Sequence, residues 1–193
     1  NACIHKFDPK GRLLKSWGSP GTGPGEFNLP HNICCDGDGW IYVADRENSR
    51  IQIFDSEGRF ETQINNMHRP SGLAITPGGS PDCIVGELAS YLDVNHDFPN
   101  IGPFVSVLDQ QSNILSRLDA GCGAGLCPGQ FLSPHSIAYD RKGDLYVGDV
   151  VDADWASVMR YIEKPDQPRR FQKFGSIEML YLVLFEIIFH LGS

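Results

Sequence analysis

Residues 24–33 have the sequence PGEFNLPHNI, and residues 128–137 have the sequence PGQFLSPHSI. The two segments lie 104 positions apart and share six of ten residues, including a Pro-His pair. The similarity continues at the same offset, because residues 36–45 (DGDGWIYVAD) match residues 140–149 (DRKGDLYVGD). A stretch that recurs at a fixed offset predicts a repeated structural unit.

Two weaker copies of the unit extend the pattern. Residues 69–75 (RPSGLAI) and 83–87 (CIVGE) form a copy between the first two, and residues 4–12 (IHKFDPKGR) repeat the segment 51–59 (IQIFDSEGR). The segments between the apolar stretches, such as Asp-Gly-Asp-Gly, are typical of hairpin turns. In the clearest copy we predict four strands, at about residues 31–35, 40–44, 50–54 and 60–64.

A four-stranded sheet that recurs about every 40–45 residues is typical of a β-propeller blade. The chain contains the outer half of one blade, two full blades and most of a fourth, whereas a closed propeller has about 4–8 blades. We therefore predict an all-β fold, a partial β-propeller of about three and a half blades formed by residues 1–174. We also expect the chain to be a fragment of a longer protein.

The last residues differ in character from the repeats. Residues 175–193 form an apolar tail, with twelve apolar residues among the fifteen at 177–191. The run is too short for a membrane span and contains Glu178 and Glu186. The tail can cover the open edge of the last sheet, or it can be a foreign end from a truncated or mis-joined reading frame. We favour the second origin, because no other copy contains such a segment.

Charge and cysteine content exclude several classes of function. The formal net charge is −8 and no block of Lys or Arg is present, so we expect neither nucleic acid nor a membrane surface as a partner. The adjacent Cys34 and Cys35 lie in a predicted strand and are expected to be small buried residues. Cys122 and Cys127 flank a glycine-rich loop, where a disulfide requires an oxidising compartment. The compartment stays open, with an extracellular or periplasmic location favoured.

Residues 43–55 (VADRENSRIQIFD) resemble an NHL repeat. Together with the preceding PHNI segment, this string is similar to the peptidyl-α-hydroxyglycine α-amidating lyases, and the resemblance covers residues 1 to about 174. It implies a six-bladed propeller with a zinc ion in the central channel, held by three histidines that each begin the inner strand of an alternate blade. It also implies cleavage of a carbinolamide into a peptide amide and glyoxylate, and hence a peptide or small-molecule substrate.

The resemblance assigns roles to three residues of this chain. His31 and His135 begin inner strands two blades apart and match the zinc ligands, while Ser71 takes that position in the blade between them. Arg46 matches an arginine that lies near the substrate. The third histidine and the family's active-site tyrosine belong to blades outside this chain, and Ser136 stands where the animal members have Asp. The implied carbon–nitrogen lyase activity is therefore a hypothesis.

The residue types by themselves are compatible with a zinc site at His31 and His135, and equally with a structural role. Zinc binds imidazole nitrogens, and a catalytic zinc keeps one position open, so two histidines at equivalent places in a ring suit it. The alternative is that both Pro-His pairs are remnants of the repeat without a ligand role. The remaining histidines are expected on the surface or in packing contacts; they are His5, His68, His96 and His190.

Charged residues recur at one blade position. Asp45, Glu87 and Asp149 are equivalent, and we expect them to bond the backbone of turns, with a calcium or lactonase-type carboxylate site as the less favoured alternative. Arg50 is expected to be solvated or to form an ion pair between blades.

A second hypothesis belongs to a different class of function. In it the chain is part of a non-catalytic NHL propeller that binds a protein or a small ligand on its loop face, since a fold does not fix a function. Insertions at 88–103 and 150–169 lengthen the loops, and long loops on a rigid scaffold often carry function.

Overall fold

The computed structural model describes residues 2–76, 83–95, 101–109, 111–118 and 123–175. In these residues the regular structure consists mainly of antiparallel strands, with one α-helix and two short 3₁₀ helices. The chain divides into two compact units, Asn1–Pro70 and Ser71–Ser193. The predicted all-β class is confirmed.

The first unit contains three sheets. Its strands are β1 (Ile4–Phe7), β2 (Leu13–Trp17), β3 (Ser19–Pro20), β4 (Glu26–Phe27), β5 (Pro30–Cys35), β6 (Ile41–Asp45), β7 (Arg50–Phe54) and β8 (Phe60–Ile64). Strands β1 and β2 form a hairpin, β3 and β4 form a short parallel pair, and β5 to β8 form a sheet in sequence order. The four strands predicted for the clearest copy therefore match β5 to β8 within one residue at each end.

The second unit contains the next two copies. Its strands are β9 (Pro70–Ile75, which begins at the unit boundary), β10 (Cys83–Glu87), β11 (Phe104–Leu108), β12 (Ile114–Leu118), β13 (Pro134–Tyr139), β14 (Leu145–Asp149) and β15 (Phe171–Phe174). Strands β9 to β12 form one four-stranded sheet, and β13 to β15 form a three-stranded sheet. Each sheet is a meander of antiparallel neighbours, as the repeat predicts.

An aspartate specifies the same hairpin turn in the two clearest copies. The Asp36 carboxylate accepts the backbone N–H groups of Asp38 and Trp40 at 3.0 and 2.9 Å, and Gly39 closes the turn with a φ of +91°, which glycine adopts without strain. The Tyr42 hydroxyl donates to the same carboxylate at 3.1 Å. Asp140 accepts the equivalent bonds, including one from the Tyr146 hydroxyl at 3.1 Å.

Aromatic and aliphatic side chains fill the space beside each sheet. In the first unit Phe54 is fully buried, and its ring lies 5.8 Å from that of Phe27 and 6.1 Å from that of Trp17. In the second unit Phe131 takes the place of Phe27 and packs on Phe174, with ring centroids 6.1 Å apart. Phe27 and Phe131 are 104 residues apart and are both buried, so the copies share their core positions.

The insertion at 150–169, expected as a loop, contains helix α1 (Val151–Val158). Val151, Trp155 and Val158 are its buried residues, and they pack against Ala89 and Leu132. Their spacing of four and three residues places them on one helical face, a signal that the sequence contains. None of the helices in the described residues is long and apolar enough to cross a membrane.

The adjacent cysteines are less buried than expected. Cys34 is half-buried and Cys35 is exposed, because β5 is the edge strand of its sheet, so the prediction of burial is wrong for Cys35. Several predictions concern residues outside the described ranges and stay predictions. They are the origin of the tail after Gly175, the bridge from Cys122 to Cys127, and the roles of His96 and His190.

Candidate functional site

His31 and His135 occupy the same irregularity in their strands. In the ladder between β5 and β6, Pro30 pairs with Asp45 and the next pair is Asn32 with Ala44, so the register skips His31. In the ladder between β13 and β14 the register skips His135 in the same way. An extra residue of this kind redirects a side chain away from the regular pleat, and such irregularities are frequent next to active sites.

Aspartates anchor the chain just before each histidine. The Asp45 carboxylate accepts the N–H of Asn28 at 2.7 Å, and the Asp149 carboxylate accepts the N–H groups of Leu132, at 3.0 Å, and Ser133. Burial raises the pKa of Asp149, and its bonds from Leu132 and Ser133 oppose that rise. The expectation that the carboxylates at this blade position bond backbone is confirmed for Asp45 and Asp149. Glu87, the third member of the set, accepts a hydrogen bond from the Ser106 hydroxyl.

Arg50 is buried, and the prediction that it is solvated or joins two blades is wrong. Its guanidinium pairs with Asp45 at 2.8 Å within one sheet, where the two residues are partners in the ladder. The same group donates to three backbone carbonyls at 2.8 to 2.9 Å, those of Thr22, Gly23 and Glu26. A guanidinium has five donors, so it can be buried when a curled loop supplies this many acceptors.

In both units a glutamine side chain bonds the backbone of the loop that precedes the sheet. Gln52 donates to the Glu26 carbonyl at 2.7 Å and accepts the Gly25 N–H at 2.8 Å. Gln172 donates to the Gln130 carbonyl at 2.7 Å and accepts the Gly129 N–H at 2.9 Å. The repeated Pro-Gly segments at 24–25 and 128–129 are therefore held to the sheets by the same pair of bonds.

Arg46 lies at the same end of its sheet as His31. Its backbone N–H donates to the backbone carbonyl of Leu29 at 3.3 Å, and its guanidinium pairs with the Glu47 carboxylate at 2.7 Å. Glu47 also pairs with Arg69 at 3.1 Å. Burial raises the pKa of Glu47, but the hydrogen bonds from Arg69 and Arg46 outweigh it and hold the pKa below its usual value.

The histidines fit zinc by donor type, and they fall in different units. His31 belongs to the first unit and His135 to the second, so a metal site shared by them stays a prediction. Ser71 takes the histidine position in the intervening copy, and its hydroxyl donates to the backbone carbonyl of His135 at 3.5 Å. Within the described ranges, no group of three or more His, Cys, Asp or Glu residues is arranged to hold a metal ion.

The two insertions of the second unit meet at their tips. Arg160, just after α1, pairs with Asp93 in the 3₁₀ helix Asp93–Asn95 at 3.0 Å. Trp155 donates to the carbonyl of Ile162 at 2.8 Å and holds the end of the insertion in place. Four apolar side chains beside these contacts are exposed by more than half; we call them the tip patch, and they are Leu92, Val94, Tyr161 and Ile162. Sequence reasoning identified the insertions but not this surface.

Comparisons with known proteins agree with the repeat. The NHL repeat model matches residues 27–54. The chain is 44% identical over 155 residues to NHL repeat-containing protein 3 of Homo sapiens, covering 78% of this chain and 41% of that protein. It is 28% identical over 172 residues to peptidyl-glycine alpha-amidating monooxygenase B of Xenopus laevis, covering 80% of this chain and 18% of that protein.

A solved structure shows the same fold. The chain superposes on a protein of unknown function from Bacteroides caccae with a TM-score of 0.60 and 16% identity, covering 90% of this chain and 56% of the other. The chain is therefore a partial β-propeller that contains an NHL repeat. It spans 41% of the length of the human relative and 18% of that of the frog relative.

Proposed function

We propose that this chain is part of an NHL propeller enzyme resembling the amidating lyases, with His31 and His135 as two ligands of a zinc ion. The observation that supports the proposal is the matched irregularity that removes both histidines from their ladders. Both histidines therefore stand at equivalent positions of their sheets, as two ligands supplied by repeated blades would.

The residues of this chain would have different roles in the proposed site. His31 and His135 hold the metal, and Asp45 and Asp149 fix the segments that lead into them. Arg46 begins the turn beside His31 and would place a positive charge near the substrate, where it stabilises developing negative charge. Zinc, when bound, would polarise the hydroxyl group of a peptidyl α-hydroxyglycine.

The test is zinc titration by calorimetry on the full-length protein. His31→Ala and His135→Ala should each weaken zinc binding by at least about tenfold, because each removes one of few ligands. His68→Ala is the matched control and should leave the affinity unchanged. Release of glyoxylate from an α-hydroxyglycine-extended peptide should fall together with zinc affinity. If both variants bind zinc like the parent protein, the metal proposal is wrong.

The tip patch favours a second candidate function, the binding of a protein segment on the loop face. Tyr161 is 98% exposed and Val94 is 73% exposed, and tyrosine is enriched in the centres of protein interfaces. Arg160 and Asp93 keep the two tips together, so the patch does not have to be ordered by its partner. The exposed Glu163 beside the patch favours a segment that combines an apolar side chain with Lys or Arg.

Peptide display tests this candidate. Peptides selected on the chain should contain an aromatic or aliphatic residue next to a basic one, and Tyr161→Ser should weaken their binding by about tenfold or more, as for a central interface residue. Leu14→Ser is the control, because Leu14 is 58% exposed but lies in β2 of the first unit. Equal binding to the parent chain and to Tyr161→Ser would refute a role for the tip patch.

A further inference from the structure

Three polar side chains of the first hairpin form a hydrogen-bonded chain. Cys3 directly precedes β1, His5 lies in β1, and Ser16 lies opposite His5 in β2. The sulfur of Cys3 is 3.4 Å from Nε2 of His5, and Nδ1 of His5 is 2.7 Å from the hydroxyl of Ser16. If Nε2 accepts the thiol proton, Nδ1 carries a hydrogen and donates it to Ser16. His5 is exposed, as predicted for a surface histidine, but it is not isolated.

This arrangement departs from the repeat. The alignment of residues 4–12 with 51–59 places Cys3 at the position of Arg50 and His5 at that of Gln52. Ser16 is the ladder partner of His5, as Gln63 is of Gln52. In the later copy these positions build the buried network that holds the preceding loop, so the repeat does not explain a thiol beside an imidazole.

Cys3 borders a cleft of the first unit. Cys3 is half-buried and lines an open cleft of about 690 Å³ within the first unit. The cleft is also lined by Phe27, Asn28 and Leu29, so its wall is partly apolar and partly polar.

Two other cysteines of the same unit have thiols that are difficult to deprotonate. Cys34 and Cys35 precede Asp36 in the chain. Burial, with the charges of Cys35 and Asp36, raises the pKa of Cys34 to about 12. Burial and the charge of Asp36 also raise the pKa of Cys35. These two thiols are therefore suitable internal references for the reactivity of Cys3.

We propose that Cys3 is a reactive thiol that exchanges with small disulfides, with His5 as its base and Ser16 as the residue that positions the imidazole. The thiolate is the reactive form of cysteine, and a nucleophile activated by a base that a third group orients is a recurrent arrangement. The site lies outside the proposed zinc site and does not depend on it.

The exchange step balances without further reactants. The Cys3 thiol gives its proton to Nε2 of His5, and the thiolate attacks one sulfur of a low-molecular-weight disulfide. A new sulfur–sulfur bond forms as the old one breaks. The departing thiolate takes the electron pair of the broken bond and the proton from His5. Cys3 ends as a mixed disulfide, and half of the reagent is released as a thiol.

Ellman's reagent, an aromatic disulfide, tests the proposal on the reduced full chain at neutral pH. A second aliquot receives a short pulse of iodoacetamide before tryptic digestion, which separates Cys3 (residues 1–6) from Cys34 and Cys35 (residues 16–46). We expect the 1–6 peptide to label at least about tenfold faster than the 16–46 peptide, and Cys3 to react in the fast phase with Ellman's reagent.

Two variants distinguish the role of His5 as a base from a role in holding the hairpin together. His5→Gln installs the residue of the later copy, so the hairpin should persist by circular dichroism while labelling of Cys3 falls by about tenfold or more. Ser16→Ala should slow it by a smaller factor. In denaturant, where the geometry is lost, the two peptides should label at similar rates. If Cys3 reacts no faster than Cys34 and Cys35 in the folded chain, or if His5→Gln leaves its rate unchanged, the proposal is wrong.

Discussion

Replacing Arg50 with alanine should lower the free energy of unfolding by about 3–5 kcal/mol, the range for breaking a buried ion pair. The Arg50 and Asp45 side chains are 7% and 0% exposed, so the variant leaves a buried carboxylate without its counter-ion. The carbonyls of Thr22, Gly23 and Glu26 each lose one donor in the same step, although the Glu26 carbonyl keeps its bond from Gln52. Urea unfolding followed by tryptophan fluorescence measures the change, since Trp17 and Trp40 lie in the same unit.

Arg59→Ala is the matched control for this prediction. Arg59 pairs with Asp55 at 3.5 Å, but its side chain is 78% exposed, and exposed pairs contribute about 0–1 kcal/mol. Both variants remove one arginine from one aspartate of the same unit. Equal losses of stability would show that burial of the Arg50 network contributes nothing.

Replacing Gly86 with alanine should cost about 1–3 kcal/mol, towards the upper end for an overpacked site. A Cβ atom at Gly86 would lie 2.1 Å from the carbonyl oxygen of Pro134 and 3.1 Å from its carbonyl carbon. Both are backbone atoms, so no side chain can rotate to relieve the clash. Strands β10 and β13 would have to separate, and β13 contains His135.

Gly37→Ala is the control, because no atom lies within 4 Å of a Cβ at Gly37. It should change the midpoint of urea unfolding little. Gly86→Ala should also weaken zinc binding by the full-length protein, since it displaces the segment that precedes His135. A Gly86→Ala variant as stable as Gly37→Ala would mean that the two sheets do not approach as closely as described.

The strands were predictable because local signals agree along the repeat. Alternating residues in β7 and the Asp and Gly turn residues give the same boundaries, and a second copy confirms them at a fixed offset. The repeat does not predict helix α1, because the helix lies in an insertion, although Val151, Trp155 and Val158 have helical spacing. The burial of Arg50 depends on carbonyls more than twenty residues earlier in the chain, which no local pattern reveals.

The histidines were identified as a pair, but their irregular position was not. A skipped residue depends on the backbone path of two paired strands, and the sequence shows only that a proline precedes each histidine. The contact between Cys3 and His5 was missed for a different reason. His5 stands where the later copy has Gln52, and this departure from the repeat is the signal that points to the contact.

The aspartate–tyrosine pair in the hairpins has an evolutionary consequence. Asp36 with Tyr42 and Asp140 with Tyr146 make the same bond at 3.1 Å, and both members of each pair lie within one hairpin. A duplicated gene segment would therefore inherit its turn complete, with no need for matching changes in a neighbouring blade. Such self-contained inheritance lets a ring gain or lose blades by recombination while each new copy keeps its shape.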